Sequence, residues 1–277
     1  MDAKKNLKDQ VALVTGGGRG LGRAFAHALA AEGAVVSVTA RTRSQVEETV
    51  KSIEDLGGRA VSIVGDVSNS DDIERMVSIT EEQLGPVDLL VNNAGVGGEV
   101  KPDWETDPEN WWRTLEINLK GPYLCTRRVL PGMVERGKGK VINISSGAVQ
   151  GHFPFLGPYT ISKTALTQYS FILANQLKGT GVSVFAYEPG FVRTYLTEVY
   201  GQTPEIHSSV REVFKTGLEQ GLDTPMKSAV RMFIFLASGQ ADALSGRFIS
   251  VSDEESELLS KTEEILHKDL YTLRVNY

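Results

Sequence analysis

A phenol and an ammonium group stand four residues apart in the stretch "GPYTISKTAL", residues 157–166. If this stretch is an α-helix, Tyr159 lies one turn before Lys163 on the same face. A phenol has a pKa of about 10, so it exchanges protons near neutral pH only where a neighbouring cation favours its ionised form. The pair is either a solvated feature of an amphipathic helix or a proton-transfer centre, and other residues must decide between the two.

A glycine-rich turn, "TGGGRGLG" at residues 15–22, follows the first apolar run and opens the first segment with a helical period. Residues without a Cβ allow a tight turn and let the backbone approach a pyrophosphate at the positive end of a helix. Gly16, Gly20 and Gly22 have the spacing G-x-x-x-G-x-G, not the commoner G-x-G-x-x-G. The position between a strand and a helix therefore carries the prediction of dinucleotide binding.

The end of the second predicted strand indicates which dinucleotide is bound. It reads "TARTRS", where a chain that binds NAD commonly has an acidic residue for the ribose 2'-hydroxyl. Ala40 offers no carboxylate, and the guanidinium of Arg41 suits a 2'-phosphate through charge-assisted hydrogen bonds. Arg19 adds a second cation from the glycine turn. These residues favour NADP(H), with NAD(H) as the alternative, and they argue against a doubly wound methyltransferase.

Short apolar runs alternate with longer helix-period segments through most of the chain. Several runs are continuously apolar, as in parallel strands that are covered on both faces. With right-handed crossovers, this pattern predicts an α/β fold, a single-domain, doubly wound, parallel seven-stranded sheet of the Rossmann-like kind. The predicted strands are 11–15, 35–39, 60–64, 87–91, 140–145, 182–187 and 247–251, and the predicted helices include 21–32, 44–56, 70–84 and 159–178.

The predicted domain organisation has two parts. Residues 1–252 form the dinucleotide-binding and catalytic domain, and residues 253–277 form a helical C-terminal extension. Within the domain, segment 191–225 follows the sixth strand, where inserted helices would cover a ligand. A helical cap with only a packing role is the alternative.

The extension carries leucines at intervals that suit one face of a helix. These residues, which predict an amphipathic tail helix, are Leu259, Leu266, Leu270 and Leu273. Such a helix would either cap its own domain or cross a subunit interface.

Composition argues against several classes of protein. The net charge is -6, and the lysines and arginines are scattered, which argues against a nucleic-acid-binding surface. Cys125 is the single cysteine, so no intramolecular disulfide forms, and the four histidines show no metal-ligand spacing. No apolar run approaches the roughly 18 residues of a membrane span, and none resembles a signal peptide. We therefore expect a cytoplasmic protein that binds neither membranes nor metals.

Seven ordered motifs resemble the short-chain dehydrogenase/reductase family, from about residue 8 to 252. They are "TGGGRGLG" (15–22), "GDV" (65–67), "NNAG" (92–95), Asn118, "ISS" (144–146), "YTISK" (159–163) and "PGFVRT" (189–194). Because all seven occur in order and at plausible spacing, the resemblance is specific. It implies an oxidoreductase that interconverts a ketone or aldehyde with an alcohol by hydride transfer from or to NAD(P)(H), assembled as a homodimer or homotetramer.

The resemblance implies a catalytic group of four residues. Tyr159 would be the general acid or base, and Lys163 would lower its pKa and hold the nicotinamide ribose. Ser146, thirteen residues before Tyr159, would orient the substrate oxygen. Asn118 would support a water-linked proton path to the lysine. His152 lies between Ser146 and Tyr159, and we interpret it as a contact or spectator because Tyr159 already has the acid/base role.

The resemblance also implies a row of cofactor contacts. Asp66 would bind the adenine amino group with Val67 beside it, and Asn93 and Gly95 would lie along the adenosine ribose. The other implied contacts are Gly16, Gly18, Arg19, Gly20, Leu21, Gly22 and Arg41 around the phosphates, Tyr159 and Lys163 at the ribose, and Pro189, Gly190, Val192 and Thr194 at the nicotinamide.

The sequence leaves the substrate open. A 3-oxoacyl-thioester reductase and an NAD-dependent sugar or polyol dehydrogenase of the same family are both alternatives. Apolar residues in "HFPFLG" (152–157) and in segment 191–225 favour a substrate with hydrophobic portions. A non-catalytic dinucleotide-binding regulator is the alternative from another class, and the presence of both Tyr159 and Lys163 argues against it.

Overall fold

A seven-stranded, wholly parallel sheet forms the centre of the protein in a computed structural model that describes residues 7–151 and 153–274. The strand order is β3-β2-β1-β4-β5-β6-β7, so the order reverses between β1 and β4. The strands are β1 (Val11–Thr15), β2 (Val35–Ala40), β3 (Arg59–Val64), β4 (Leu89–Asn92), β5 (Gly139–Ile144), β6 (Val182–Glu188) and β7 (Arg247–Ser250). The predicted doubly wound fold is confirmed. The interpretation of His152 falls outside the described residues.

Helices cover both faces of this sheet. The four predicted helices agree with α1, α2, α3 and α6 to within two residues at each end. The helices are α1 (Gly20–Ala31), α2 (Arg43–Glu54), α3 (Ser70–Leu84), α4 (Pro108–Leu115), α5 (Gly121–Glu135), α6 (Gly157–Gln176), α7 (Tyr195–Gln202), α8 (Ser208–Glu219), α9 (Met226–Ala237), α10 (Glu255–Ser260) and α11 (Thr262–His267). Within the described ranges, no helix is long and apolar enough to cross a membrane.

The continuous apolar runs are explained by a core on each face of the sheet. Successive side chains of a strand point to opposite faces, and in β1 Ala12 and Val14 join one core while Leu13 joins the other. In the first core, Phe25 of α1 stacks on Phe233 of α9 with ring centroids 4.1 Å apart. Every residue of β1 is buried, so an alternating apolar and polar pattern would have placed polar groups in a core.

Segment 191–225 contains the inserted helices that the sequence predicts, α7 and α8. An isolated parallel bridge between Val192 and Thr224 joins the two ends of the segment. Tyr200 and Ile206 form a small apolar cluster with Val100 and Leu156, apart from the two main cores. The segment therefore packs over the loops that leave the carboxyl ends of β4 and β5.

The prediction of one amphipathic tail helix is wrong, because the extension forms two short helices with a break at Lys261. Leu258 and Ile265 are its buried residues, at 1% and 2% exposure, and they join the core formed by α1 and α9. The predicted apolar face is largely in solvent: the exposed residues are Leu259, Leu266 and Leu270. Leu258 and Ile265 are seven positions apart, as are Leu259 and Leu266, so the helical interval continues across the break and the buried face lies one residue before the predicted one.

Beyond α11, the chain returns to the edge of the sheet. The backbone N–H of Phe248 in β7 donates to the carbonyl of Tyr271 at 2.9 Å. The side chain of Leu273 packs against the cluster of Phe171, Ala186 and Phe248. The extension thus packs on its own domain, and the alternative that it also crosses a subunit interface stays a prediction.

We expect Leu258→Ala to lower the free energy of unfolding by about 2 to 4 kcal/mol, because it leaves a cavity in a packed core. Leu259→Ala is the matched control: its side chain is 46% exposed, and its effect should stay within about 0.5 kcal/mol. Chemical denaturation followed by circular dichroism measures both. Equal effects for the two variants would contradict the packing of the extension on the core.

Candidate active site

A cleft of about 420 Å³ lies at the carboxyl ends of the strands, across the point where the strand order reverses. Open α/β sheets bind their ligands at this place. Every predicted site residue lines this cleft except Asn118. The fold therefore brings together motifs that are spread over residues 16–194 of the chain.

The glycine turn has a backbone that requires glycine. Gly16 and Gly20 have φ angles of 66° and 54°, in the left-handed region. A Cβ on Gly22 would lie 2.3 Å from the carbonyl oxygen of Gly16. Asn93 holds the turn against the end of β4, because its Nδ2 donates to the carbonyl oxygens of Thr15 and Gly16 at 2.9 and 3.2 Å.

The start of α1 is open to an anion. No side chain caps this helix, and its first turn contains no acidic residue. Gly20, Leu21 and Gly22 line the cleft here. Unpaired N–H groups and the positive end of a helix are the features that bind phosphate.

Two arginines extend this positive end of the cleft. Arg19 and Arg41 are both exposed, and neither forms an ion pair with any residue that the structure describes. The guanidinium carbon of Arg19 lies 4.0 Å from the ring centroid of Tyr195. A cation–π contact of this kind orients the guanidinium and leaves its N–H groups free for an anion.

Asp66 already has two partners at the same end of the cleft. Its Oδ1 accepts hydrogen bonds from the backbone N–H and the hydroxyl of Ser68, and its Oδ2 lies 2.9 Å from Nη2 of Arg113. Burial by itself would raise the pKa of Asp66, but the Ser68 hydrogen bonds and the charges of Arg113 and Arg41 outweigh it, so its pKa lies below the ordinary value. Asp66 is therefore ionised and oriented, and its contact with adenine stays a prediction.

Tyr159 and Ser146 face each other across the other end of the cleft. Tyr159 lies in the first turn of α6, and Ser146 follows β5, where its Oγ accepts a hydrogen bond from the N–H of Ala148 at 3.2 Å. Burial raises the pKa of the Tyr159 phenol, hydrogen bonding with Ser146 offsets part of this rise, and the carboxylate of Glu188 adds to it. The net direction is upward.

Lys163 is 5% exposed and lies below the tyrosine. Its Nζ lies 5.9 Å from the Tyr159 ring centroid and donates a hydrogen bond to the carbonyl of Ile144 at 2.8 Å. Burial lowers the pKa of Lys163 to about 8. Burial of the phenol and the charge of Glu188 raise the pKa of Tyr159 in this structure, and the expectation that Lys163 lowers that pKa stays a prediction.

Asn118 lies in the wall behind the cleft and is fully buried. It belongs to one π-helical turn, Glu116–Lys120, between α4 and α5, a geometry that is frequent at functional sites. Its amide spans two elements: Oδ1 accepts from the N–H of Val96, and Nδ2 donates to the Val96 carbonyl and to Ser162 Oγ. Asn118 therefore fixes the chain after β4 against the residue that precedes Lys163.

The turn after β6 closes the cleft on the nicotinamide side that the sequence predicts. Gly190 has a φ angle of 84°, and a Cβ there would lie 2.2 Å from Thr224 Oγ1. Glu188 supports the turn, because its Oε1 accepts a hydrogen bond from the N–H of Gly190 at 2.6 Å. Thr194 caps the start of α7, and its N–H donates to Thr197 Oγ1.

Sequence reasoning missed several residues at this site. Arg113, which pairs with Asp66, stands 47 positions away in the chain and carried no local signal. Glu188 directly precedes "PGFVRT", and an acidic residue beside that motif was a signal that could have been read. Gln45 and Gly97 also line the cleft but belong to no motif.

A doubly wound parallel sheet with this glycine turn and this group of serine, tyrosine and lysine defines an NAD(P)-dependent oxidoreductase. The family model described as short chain dehydrogenase matches residues 10–205. The chain belongs to the short-chain dehydrogenase/reductase family.

Relatives and solved structures agree with this assignment. A short chain dehydrogenase of Pseudocercospora fijiensis is 34% identical over 266 residues, 93% of this chain and 85% of the relative. The 3-oxoacyl-(acyl-carrier-protein) reductase of Synechocystis is 33% identical over 220 residues, 74% of this chain and 89% of that enzyme. The crystal structure of an actinorhodin polyketide ketoreductase variant with NADPH is 32% identical, with a TM-score of 0.79 and coverage of 87% of this chain and 95% of that one.

The lowered pKa of Lys163 should make the free energy of unfolding depend on pH. The folded state lowers this pKa from 10.5 to about 8, so between these pH values the folded protein binds fewer protons than the unfolded chain. The wild type should therefore gain stability relative to Lys163→Met as the pH rises from 8 to 10.5, by up to about 1 kcal/mol per pH unit. Urea denaturation at a series of pH values measures this difference. Lys178→Met, at an exposed lysine just after α6, is the control. If the difference in free energy of unfolding between the wild type and Lys163→Met did not change with pH, the lowered pKa of Lys163 would be contradicted.

Proposed function

We propose that this enzyme is an NADP(H)-preferring oxidoreductase that interconverts a ketone or aldehyde with an alcohol. One observation carries the proposal: a single cleft runs from Arg19 in the glycine turn and Arg41 after β2, neither of which has an ionic partner among the described residues, to Ser146, Tyr159 and Lys163. A phosphate-binding end and a proton-transfer end on one cleft suit a dinucleotide whose nicotinamide reaches the substrate.

The cofactor fits the residues that are present. A Cβ at Gly22 would lie 2.3 Å from the carbonyl oxygen of Gly16, and one at Gly16 would lie 2.8 Å from Cα of Ala94, so only glycines fit this tight turn at the phosphate end of the cleft. Arg19 and Arg41 supply the charge for a 2'-phosphate, which supports NADP(H) over NAD(H). When bound, the cofactor supplies or accepts the hydride.

The proton chemistry belongs to Tyr159. A phenol with a raised pKa stays protonated at neutral pH, so its Oη holds the proton that a carbonyl oxygen receives on reduction. Ser146 Oγ would hydrogen-bond the same substrate oxygen and orient it. Lys163 would hold the nicotinamide ribose. Asn118 would act as a positioning residue, and a water-linked proton path past it to Lys163 remains our proposal.

A substrate with hydrophobic portions suits the cap over this cleft. Tyr195 and Leu196 of α7 line the cleft, and the apolar cluster of Val100, Leu156 and Tyr200 lies behind them. We therefore propose that segment 191–225 covers the substrate. This apolar lining, together with the similarity to the Synechocystis enzyme, supports an oxoacyl thioester above a sugar or polyol.

The family and the composition support a proposal about the location and assembly of the enzyme. We propose a cytoplasmic homodimer or homotetramer that acts on small molecules. In this organisation residues 1–252 form the catalytic domain and residues 253–277 form the extension.

We expect Tyr159→Phe to lower kcat by about 10² to 10⁴-fold, because the proton donor is lost while the ring that lines the cleft remains. The affinity for NADPH, measured by fluorescence titration, should change little. Tyr123→Phe is the matched control, because Tyr123 is 45% exposed and lies outside the cleft. Near-normal turnover of Tyr159→Phe across a panel of ketones would refute its role as proton donor.

We expect Ala40→Asp combined with Arg41→Ala to shift the ratio of kcat/KM for NADPH over NADH toward NADH by about tenfold or more. The change removes a charge-assisted hydrogen bond to a phosphate and supplies an acceptor for a ribose hydroxyl, and such a bond contributes about 1.5 to 3 kcal/mol. Arg43→Ala is the control, since Arg43 pairs with Glu47 and does not line the cleft. An unchanged ratio would show that the phosphate is recognised elsewhere.

A further inference from the structure

A carboxylate without a cationic partner is buried beside the reaction end of the cleft. Glu188 is the last residue of β6, immediately before Pro189, and it is 9% exposed. Within residues 7–151 and 153–274, no lysine, arginine or histidine lies within ion-pairing distance of its carboxylate. A buried charge without a counter-charge is costly, and sites that retain one commonly use it.

Hydrogen bonds hold this carboxylate in one orientation. Oε1 accepts from the N–H of Gly190 and Oε2 accepts from Ser250 Oγ, each at 2.6 Å. Both oxygens act as acceptors, which is the pattern of an ionised carboxylate. A Cβ on Gly147 would lie 3.6 Å from Oε1, so the charge sits between the residue after Ser146 and the turn at Gly190.

The neighbouring titratable groups do not supply the missing positive charge. Glu188 raises the pKa of Tyr159, and it adds to the rise that burial produces in the pKa of Asp253. The Nζ of Lys163 donates its hydrogen bond to the carbonyl of Ile144 and forms no ion pair with Glu188. On α9, Nε of Arg231 lies 3.6 Å from Glu255 Oε1 instead. A ligand is the remaining source of a cation here.

We propose that Glu188 is the counter-charge for the oxidised nicotinamide ring and makes this site favour NADP⁺ relative to NADPH. The inference rests on the proposed function, which puts the nicotinamide at the turn of Pro189 and Gly190. The ring carries its positive charge only in the oxidised form, and the remainder of the two molecules is the same. An anion near the ring therefore distinguishes them by charge alone.

The consequence is a direction for the reaction. A site that binds the oxidised form more tightly shifts the equilibrium of the bound pair toward it, and so favours donation of the hydride to a carbonyl. Tyr159, which is protonated at neutral pH, favours the same direction. Glu188 does not line the cleft, so it acts as a positioning residue and as a source of charge, and not by contact with the substrate.

Glu188→Gln tests the charge at nearly constant shape. The dissociation constants of NADP⁺, NADPH, NAD⁺ and NADH are measured by isothermal titration calorimetry at pH 7. We expect the ratio of the constant for the oxidised form to that for the reduced form to rise about tenfold, the order expected for one charge pair in a partly buried site. Glu188→Ser, which leaves room for water beside Gly190, is a second neutral variant with the same expected direction.

Two variants that keep the charge separate this effect from support of the turn. Ser250→Ala removes a hydrogen bond to Glu188 but leaves its carboxylate, and Glu188→Asp shortens the side chain. Both variants should weaken the binding of the oxidised and the reduced cofactor to the same extent. The ratio of the two dissociation constants should therefore stay within about twofold of the wild-type ratio, because neither variant removes the charge.

The outcomes distinguish the two proposals. An unchanged ratio in a folded neutral variant, or an equal change in Ser250→Ala, would overturn the role of Glu188 while the proposed function stands. Failure of the wild type to bind either cofactor in either form would overturn the proposed function itself.

Discussion

Parallel strands all end at the same edge of a sheet, and the site of this protein depends on that constraint. Because β1, β4, β5 and β6 run in one direction, the loops that follow them meet at one cleft. Asn93 binds the loop after β4 to the glycine turn after β1 through two hydrogen bonds. The phosphate end of the cleft is thereby built from two strands at once, and movement of either strand would disturb it.

Charge is distributed unevenly along the cleft. The phosphate end has exposed arginines that form no ion pair with the residues the structure describes, and solvent stabilises their charge until a ligand binds. The reaction end has two buried ionisable groups, Lys163 and Glu188, in surroundings that solvate charge poorly. Burial lowers the pKa of Lys163, so this end is built at a cost in stability. Such costs are typical of sites that must respond to charge in a ligand or a transition state.

The C-terminal extension is connected to the reaction end through a short series of hydrogen bonds. Ser250 Oγ donates to Glu188, and the backbone N–H of Ser250 donates to Asp253 Oδ2 at 2.7 Å. Asp253 stands at the start of the extension, whose residue Leu258 is buried in the core. The part of the chain that follows the family motifs thus supports the turn after β6, so substitutions there can affect the site without contact with it.

The sequence by itself determined the elements and most of the cleft. Strand and helix periods are local properties, and the glycines of the first turn are required by the backbone of that turn, so both could be predicted from short windows. The ordered motifs then placed Ser146, Tyr159 and Lys163 at one edge. Only the tertiary structure decided which face of the extension is buried, because Leu258 and Ile265 pack on the core while the adjacent Leu259 and Leu266 stay exposed. It also decided the pairing of Arg113 with Asp66 and the burial of Glu188 away from every cation in the described part of the chain. Contacts between distant residues, and the loss of water around a charge, leave no mark in a local pattern.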